Sequence, residues 1–352
     1  MNKIHVSILY IIITLIVVKG YSQNNNVKPL EIMHTINRLG KLNIKSFAIE
    51  NKLPSTYIIG FFNKKNSNTP TKIIPPNGTI SDYVLDYLKS ALQGHLNSEG
   101  ENIKFILNEF SAGQDSSQEE TLSYAKLNAD VFETLPTGDS TYLGTYDSTI
   151  ISQNQNTGLG GQISDLLFGL IKFSNGLLIS TSAKGTNTFI NSRIKLKNRQ
   201  EPTQNRITKE TTYPTGIYTS FKQFLDDAPA ITSFRVSFDT KTDSVAFFKI
   251  DSKDSSGTAI DSIWGLAAGN ELYKYSNGSI VPIEKLDNGF FLSKYVDPKL
   301  RKNHASFWRN NIGNKTDTHN PFDNKYNVTV KIKNGLEFQA TRIDMRTGNL
   351  TF

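Results

Sequence analysis

Cysteine is absent from the 352 residues. That excludes disulfide staples, thiolate metal sites, a cysteine nucleophile and a lipid anchor on an N-terminal cysteine. Histidine is scarce: His5, His34, His95, His304 and His319 are spread along the chain, without the spacing of a zinc site. Beyond residue 18 the nearest approach to a membrane span is Leu159 to Ser180, and Asp165, Lys172 and Asn175 interrupt it. The patterns G-x-S-x-G, H-E-x-x-H and G-x-x-x-x-G-K-[ST] are all missing. No catalytic residue, metal ligand or cofactor-binding residue is therefore assigned, and no cofactor is expected.

What is present is enough to build a core. Hydrophobic residues make up 37% of the chain, with 14 Tyr and 21 Phe, which argues against wholesale disorder. The formal charge is +7. The strongest local signal is at the start. Lys3 precedes an apolar run from Val6 to Val18, and Gly20 and Ser22 place small residues at the −3 and −1 positions before Gln23. This is the pattern of a secretory signal peptide over residues 1–22, and about 13 apolar residues are short for a spanning helix. Cleavage near Ser22 would remove Lys3 and Lys19 and lower the charge to +5. The mature chain is expected to have no transmembrane span and to be periplasmic or extracellular.

The remainder divides into two halves. Residues 23–190 read as a mixed α/β domain. Ser55 to Phe62 is a strand candidate, and Pro75-Pro76-Asn77-Gly78 marks a stop. Thr79 and Asp82 fit a capping box, and Ile80, Tyr83, Val84, Tyr87, Leu88, Ala91, Leu92 and Leu96 recur at helical spacing behind it. Ile103–Phe110, Leu122–Phe132 and Tyr142–Ser152 read as strands. A second helix is expected after Gly160-Gly161, with Ile163, Leu166, Leu167, Leu170 and Ile171 as its stripe. Leu177–Ser182 reads as a further strand, and Leu30–Leu39 as an earlier helix. Residues 191–212, basic and poor in apolar side chains, read as a linker.

Residues 213–352 read as a small antiparallel β-rich domain. Ser220 and Gln223 open a short helix, and strands are expected at Thr232–Asp239, Val245–Asp251 and Ile260–Leu266. Gly269-Asn270, Asn277-Gly278, Asn288-Gly289 and Asn334-Gly335 supply hairpin turns, because these residues tolerate positive φ. The fold class is thus α+β.

Other acidic or glycine-bearing groups read as structural. Gly158-Leu159-Gly160-Gly161 lacks dinucleotide-loop spacing. Asp251, Asp254 and Asp261 around Gly257 do not follow the order of a calcium loop. Glu119-Glu120 lies in a polar loop, and Asp226-Asp227 ends a short helix. His304 and His319 flank Phe307-Trp308-Arg309 without an acidic partner in a known pattern. One stretch is a candidate surface: Lys294, Lys299, Arg301, Lys302 and Arg309, with Tyr295, Phe307 and Trp308 interleaved. Such a basic aromatic stretch can meet an envelope protein, a lipid headgroup or an acidic glycan. Nucleic acid is not expected as the partner of an exported chain.

Gly216-Ile217-Tyr218, Phe221, Phe224, Trp264-Gly265, Gly269, Leu272-Tyr273 and Glu284-Lys285 together resemble the pattern of a group of exported Bacteroidota-type proteins. The resemblance covers the second half and implies location and architecture, since the group carries no assigned activity. The first half is similar in pattern to the α/β domain of envelope auxiliary lipoproteins, but lacks their lipid-bearing cysteine. The expected function is non-enzymatic binding or scaffolding at a cell envelope. The alternative is a secreted or periplasmic hydrolase of glycans or peptides whose acid and base carboxylates come from distant positions.

Overall fold

The structure is a computed structural model. It describes residues 27–32, 40–64, 67, 69–116, 120–153, 158–183, 205–239, 244–251, 254–276, 278–302, 328–331 and 335–352. The signal-peptide segment and most of the basic linker lie outside the described residues. The class is α+β, with strand predominating.

The first half is a seven-stranded sheet with two helices on one face. Its strands are β1 (Val27–Pro29), β2 (Ile44–Asn51), β3 (Gly60–Lys64), β4 (Thr71–Ile74), β5 (Glu101–Ser116), β6 (Leu122–Thr134) and β7 (Ser140–Gln153). Their order is β1-β4-β3-β5-β6-β7, with β2 also paired to β5. The long β5, β6 and β7 form an antiparallel meander, whereas β2 and β3 both lie parallel to β5. Gly60 permits the close approach of β3, because a Cβ there would sit 1.8 Å from the Ala112 carbonyl oxygen.

Helix α1 (Ile80–Ala91) begins where the capping box is expected. The Thr79 side chain accepts from the Asp82 N–H, and the Asp82 carboxylate accepts from the Thr79 N–H. Hydrogen bonds from Thr79 hold the Asp82 carboxyl below its ordinary pKa. Helix α2 (Leu159–Ala183) runs unbroken through Leu177–Ser182, correcting the strand expected there. Leu178 continues the buried stripe of Leu167, Ile171 and Ser174, and Ser174 donates to the Leu170 carbonyl within the helix. Helical spacing outweighs the β-branched tail because one more turn buries another leucine. By length and hydropathy this helix could cross a membrane, yet 44% of the apolar window is buried inside the fold.

Three other expectations shift. The strand expected over Ser55–Phe62 starts only at Gly60, and β2 carries strand pairing that the pattern did not reveal. Leu30 extends the β1 pairing through its N–H to the Ile74 carbonyl, so the expected Leu30–Leu39 helix does not start there; residues 33–39 lie outside the described set. The end of the basic linker is anchored: in α3 (Arg206–Lys209), Ile207 is fully buried in the second half's core.

The second half opens with β8 (Gly216–Tyr218) and α4 (Phe221–Leu225), whose Ser220 cap accepts from the Gln223 N–H. A three-stranded sheet follows from β9 (Phe234–Asp239), β10 (Ser244–Asp251) and β11 (Asp254–Ala259). The run expected as one strand at Ile260–Leu266 lies mostly between β11 and β12 (Gly265–Ala268). Then come β13 (Glu271–Ser276), β14 (Ser279–Leu286), β15 (Gly289–Leu292), β16 (Thr329–Lys331), β17 (Glu337–Gln339), β18 (Arg342–Ile343) and β19 (Leu350–Thr351). Gly269 and Asn270 both take positive φ between β12 and β13, the two-residue turn that the sequence predicts. Between β14 and β15 the turn is Asp287-Asn288, with Gly289 already in the strand, one position earlier than expected.

A bulge decides how the halves meet. In β5, Ile103, Phe105 and Leu107 face the helices, but the register slips between Leu107 and Glu109. Past the slip Phe110 and Ala112 face the helices, so Glu109 is turned to the opposite face. One inserted residue reverses the parity of every side chain beyond it.

Candidate functional site

Glu109 emerges on the outer face of the first sheet, where the second half packs. It is 5% exposed. Its carboxylate accepts from Lys126 at 2.8 Å on the neighbouring strand, and from Arg342 at 3.3 Å and Arg346 at 3.1 Å across the seam. Arg342 is 4% exposed. Arg346 also pairs with Asp344. Burial works against the Arg346 charge, but Asp344 and Glu109 outweigh it and raise its pKa. Burial likewise opposes the Asp344 carboxylate, yet hydrogen bonds and charge from Arg346 hold its pKa below the usual value. Around this knot Tyr124 packs its ring against Phe338 and Phe352, with centroids 5.2 and 4.2 Å apart, and Phe61 meets Tyr295 at 4.6 Å.

Farther along the same face a polar chain continues. Asn108 donates to Asn128 and Asp130, Asp130 accepts from Thr145, and Thr145 meets the Tyr142 hydroxyl. Sequence reasoning missed Glu109, Arg342 and Arg346. The available signal was a charged residue inside an apolar strand run, Ile103 to Phe110; its two arginine partners lie more than 230 positions away.

The basic aromatic stretch is placed largely inward. Lys294 donates to Gln339 at 3.1 Å and lies over the Tyr295 ring, and burial lowers its pKa. Arg301 donates to the carbonyls of Val296 and Lys294, and burial lowers its pKa too. Lys302 donates to the Asn270 carbonyl at 2.6 Å and sits 5.1 Å over the Tyr213 ring, while its N–H donates to Glu284. Lys299 is exposed, on a turn where Asp297 accepts from its N–H. Trp308 and Arg309 lie outside the described residues, as do His304 and His319.

Tyr218, Phe221, Phe224, Trp264 and Leu272 assemble into a core. Trp264 packs 4.3 Å from Phe224 and 5.3 Å from Phe221, and its indole N–H donates to the Gly348 carbonyl. Gly265 lets β12 lie close to β13, since a Cβ there would sit 2.5 Å from the Tyr273 carbonyl oxygen. Tyr218 donates to Asp227, whose carboxyl pKa is raised by burial. Lys285 donates to the Glu210 carbonyl. Lys274 lies 4.9 Å over the Trp264 ring and donates to the Trp264 and Tyr275 carbonyls; burial lowers its pKa to about 8.

Two buried acids, Glu271 and Glu284, stand on adjacent strands β13 and β14. Tyr273 donates to Glu271, and Ser293 donates to Glu284 at 2.9 Å. Each is therefore held by its own donors within the second half. A small cavity of about 250 Å³ lies between the halves, lined by Glu120, Leu122, Gly335, Leu336 and Glu337. Among the described residues no group of three acidic or histidine side chains is placed to hold a metal ion. The charges of these residues join the sheets and fix turns. Comparison with known protein families finds no match, and no curated protein matches the chain.

Proposed function

We propose that the protein is an exported, non-enzymatic binding or scaffolding component of a cell envelope, built from a mixed α/β domain and a small antiparallel β domain. The observation that carries this reading is the engagement of four buried carboxylates. Glu109 holds three cations, Glu284 takes a hydroxyl and a backbone N–H, Glu271 and Asp227 each take a tyrosine hydroxyl. A general acid or base must instead aim a carboxyl at substrate. The export pattern of residues 1–22 supports that compartment.

Two measurements test the reading. Mass analysis of the chain recovered from an expressing cell's outer compartments should find Gln23 at the N-terminus; an intact Met1 in the cytosol overturns the export. Vesicles of phosphatidylglycerol and phosphatidylethanolamine test the anionic surface. Lys299 is the substitution of choice there, because Arg301 and Lys302 stabilise the turn from within. Lys299→Glu should weaken vesicle sedimentation of the protein; equal recovery of both forms removes lipid headgroups as the partner.

A further inference from the structure

Strand β7 ends the first sheet, and among the described residues no strand pairs with its outer edge. The other ends of the two seven-stranded sheets are managed. β1 has three residues, β19 has two, and β8 has three and is bridged by Ile231. β2, which among the described residues pairs only with β5, carries Lys45 and Glu50. Short length and edge charge are the usual defences against strand-to-strand association. β7 has little of either: it is 14 residues long, and from Gly144 to Ile151 it pairs with β6 in unbroken register with Asp147 as its one charge. That stretch holds no proline and no lysine.

The occupant is indicated by the sequence of the edge itself. Asp147, Thr149 and Ile151 project on the exposed face, with Ile151 37% exposed. Tyr146 and Ile150 project on the helix face, where Tyr146 packs against Phe173 of α2. An antiparallel copy centred on Ser148 sets Tyr146 opposite Ile150, Asp147 opposite Thr149 and Thr145 opposite Ile151. Aromatic against β-branched is a favourable cross-strand pair, and no like charges stand directly opposite, the two Asp147 side chains lying on the diagonal. Self-complementarity of this kind is what a two-fold interface requires, since the same patch serves both partners.

We propose that β7 is a homotypic pairing edge, through which two copies of the chain join by antiparallel β7–β7 hydrogen bonding about Ser148 into one continuous sheet. This goes beyond the envelope-binding reading and does not depend on it. In the dimer each Asp147 faces Thr149 of the partner copy, twice across the axis, while within one chain Thr149 faces Lys126.

The test exploits that difference in sign. Thr149→Asp places two like-charge pairs across the dimer axis but sets an acid beside Lys126 within the chain; Thr149→Lys does the reverse. Sedimentation equilibrium of the full mature chain should show a dimer that Thr149→Asp weakens by about tenfold in Kd and Thr149→Lys leaves intact or tightens. Thermal melting of the monomer at low concentration should move the opposite way, so loss of dimer cannot be blamed on loss of fold. Amide exchange should slow between Thr145 and Ile151 as concentration rises. A chain that stays monomeric at about 100 µM, weaker than typical specific association, overturns the proposal. So does a dimer that responds equally to both substitutions.

Discussion

The two faces of the first sheet are held by different physics. Toward α1 and α2 the contact is mainly apolar: Ile103, Phe105 and Leu107 of β5 and Leu127, Ala129 and Val131 of β6 meet Leu88, Leu167 and Ile171, with few polar bonds such as Gln162 to Ser123. Toward the second half, rings from both halves surround a buried carboxylate shared by three cations. The first face can form as the local chain collapses, because its parts lie within one half. The second needs residues more than 230 positions apart, so it reports that both halves are folded and docked. An apolar face tolerates exchange of one hydrocarbon for another. A buried ionic knot tolerates removal of everything or of nothing, since one absent partner strands the others without compensation.

That contrast can be broken in several places. Phe105→Ala should cost the most, about 3–5 kcal/mol, read as a fall in urea midpoint with unchanged slope, because Phe105 is fully buried between sheet and helices. Glu109→Gln should cost about 3 kcal/mol, chiefly by leaving Arg342 buried without its carboxylate. The double change Glu109→Met with Arg342→Met should restore much of that loss. If the double variant is as unstable as the single one, the knot acts through something besides its charge balance. Thr79→Ala, which removes the α1 cap on the apolar side, should cost about 1 kcal/mol in thermal melts.

The smallest effect concerns acid. Asp344 has a folded pKa below its ordinary value, so its contribution to stability is present above about pH 4 and fades as pH falls through the lower folded value. Asp344→Asn should therefore flatten the acid limb of a stability–pH curve and leave the neutral region little changed apart from the lost Arg346 contact. An acid limb identical in both proteins would show that Arg346 does not act on the carboxylate as the geometry implies.

Much of the helix side was legible beforehand. The Thr79–Asp82 box, the α1 stripe and the three meander strands are local patterns, and local patterns survive folding when tertiary contacts agree with them. The α2 terminus was misjudged because Leu177 to Ser182 alone has β character. The decision rested on Leu178 reaching a core that the sequence does not display. Lys294, Arg301 and Lys302 looked like a surface for a related reason. Charge and aromatic spacing are visible in sequence, but the inward direction of a cation is set by acceptors such as the Asn270 carbonyl, Gln339 and the Val296 carbonyl, brought from elsewhere.

The sequence by itself determined the absence of thiol chemistry, the α+β character, the positive-φ turn at Gly269-Asn270 and the capped start of α1, because each depends on residue type within a few positions. Tertiary structure alone decided that Glu109 would leave the core and meet Arg342 and Arg346. A single bulged residue in β5 reverses which face its neighbours address, and the energetic consequence of that reversal exists only once the second sheet lies over the first.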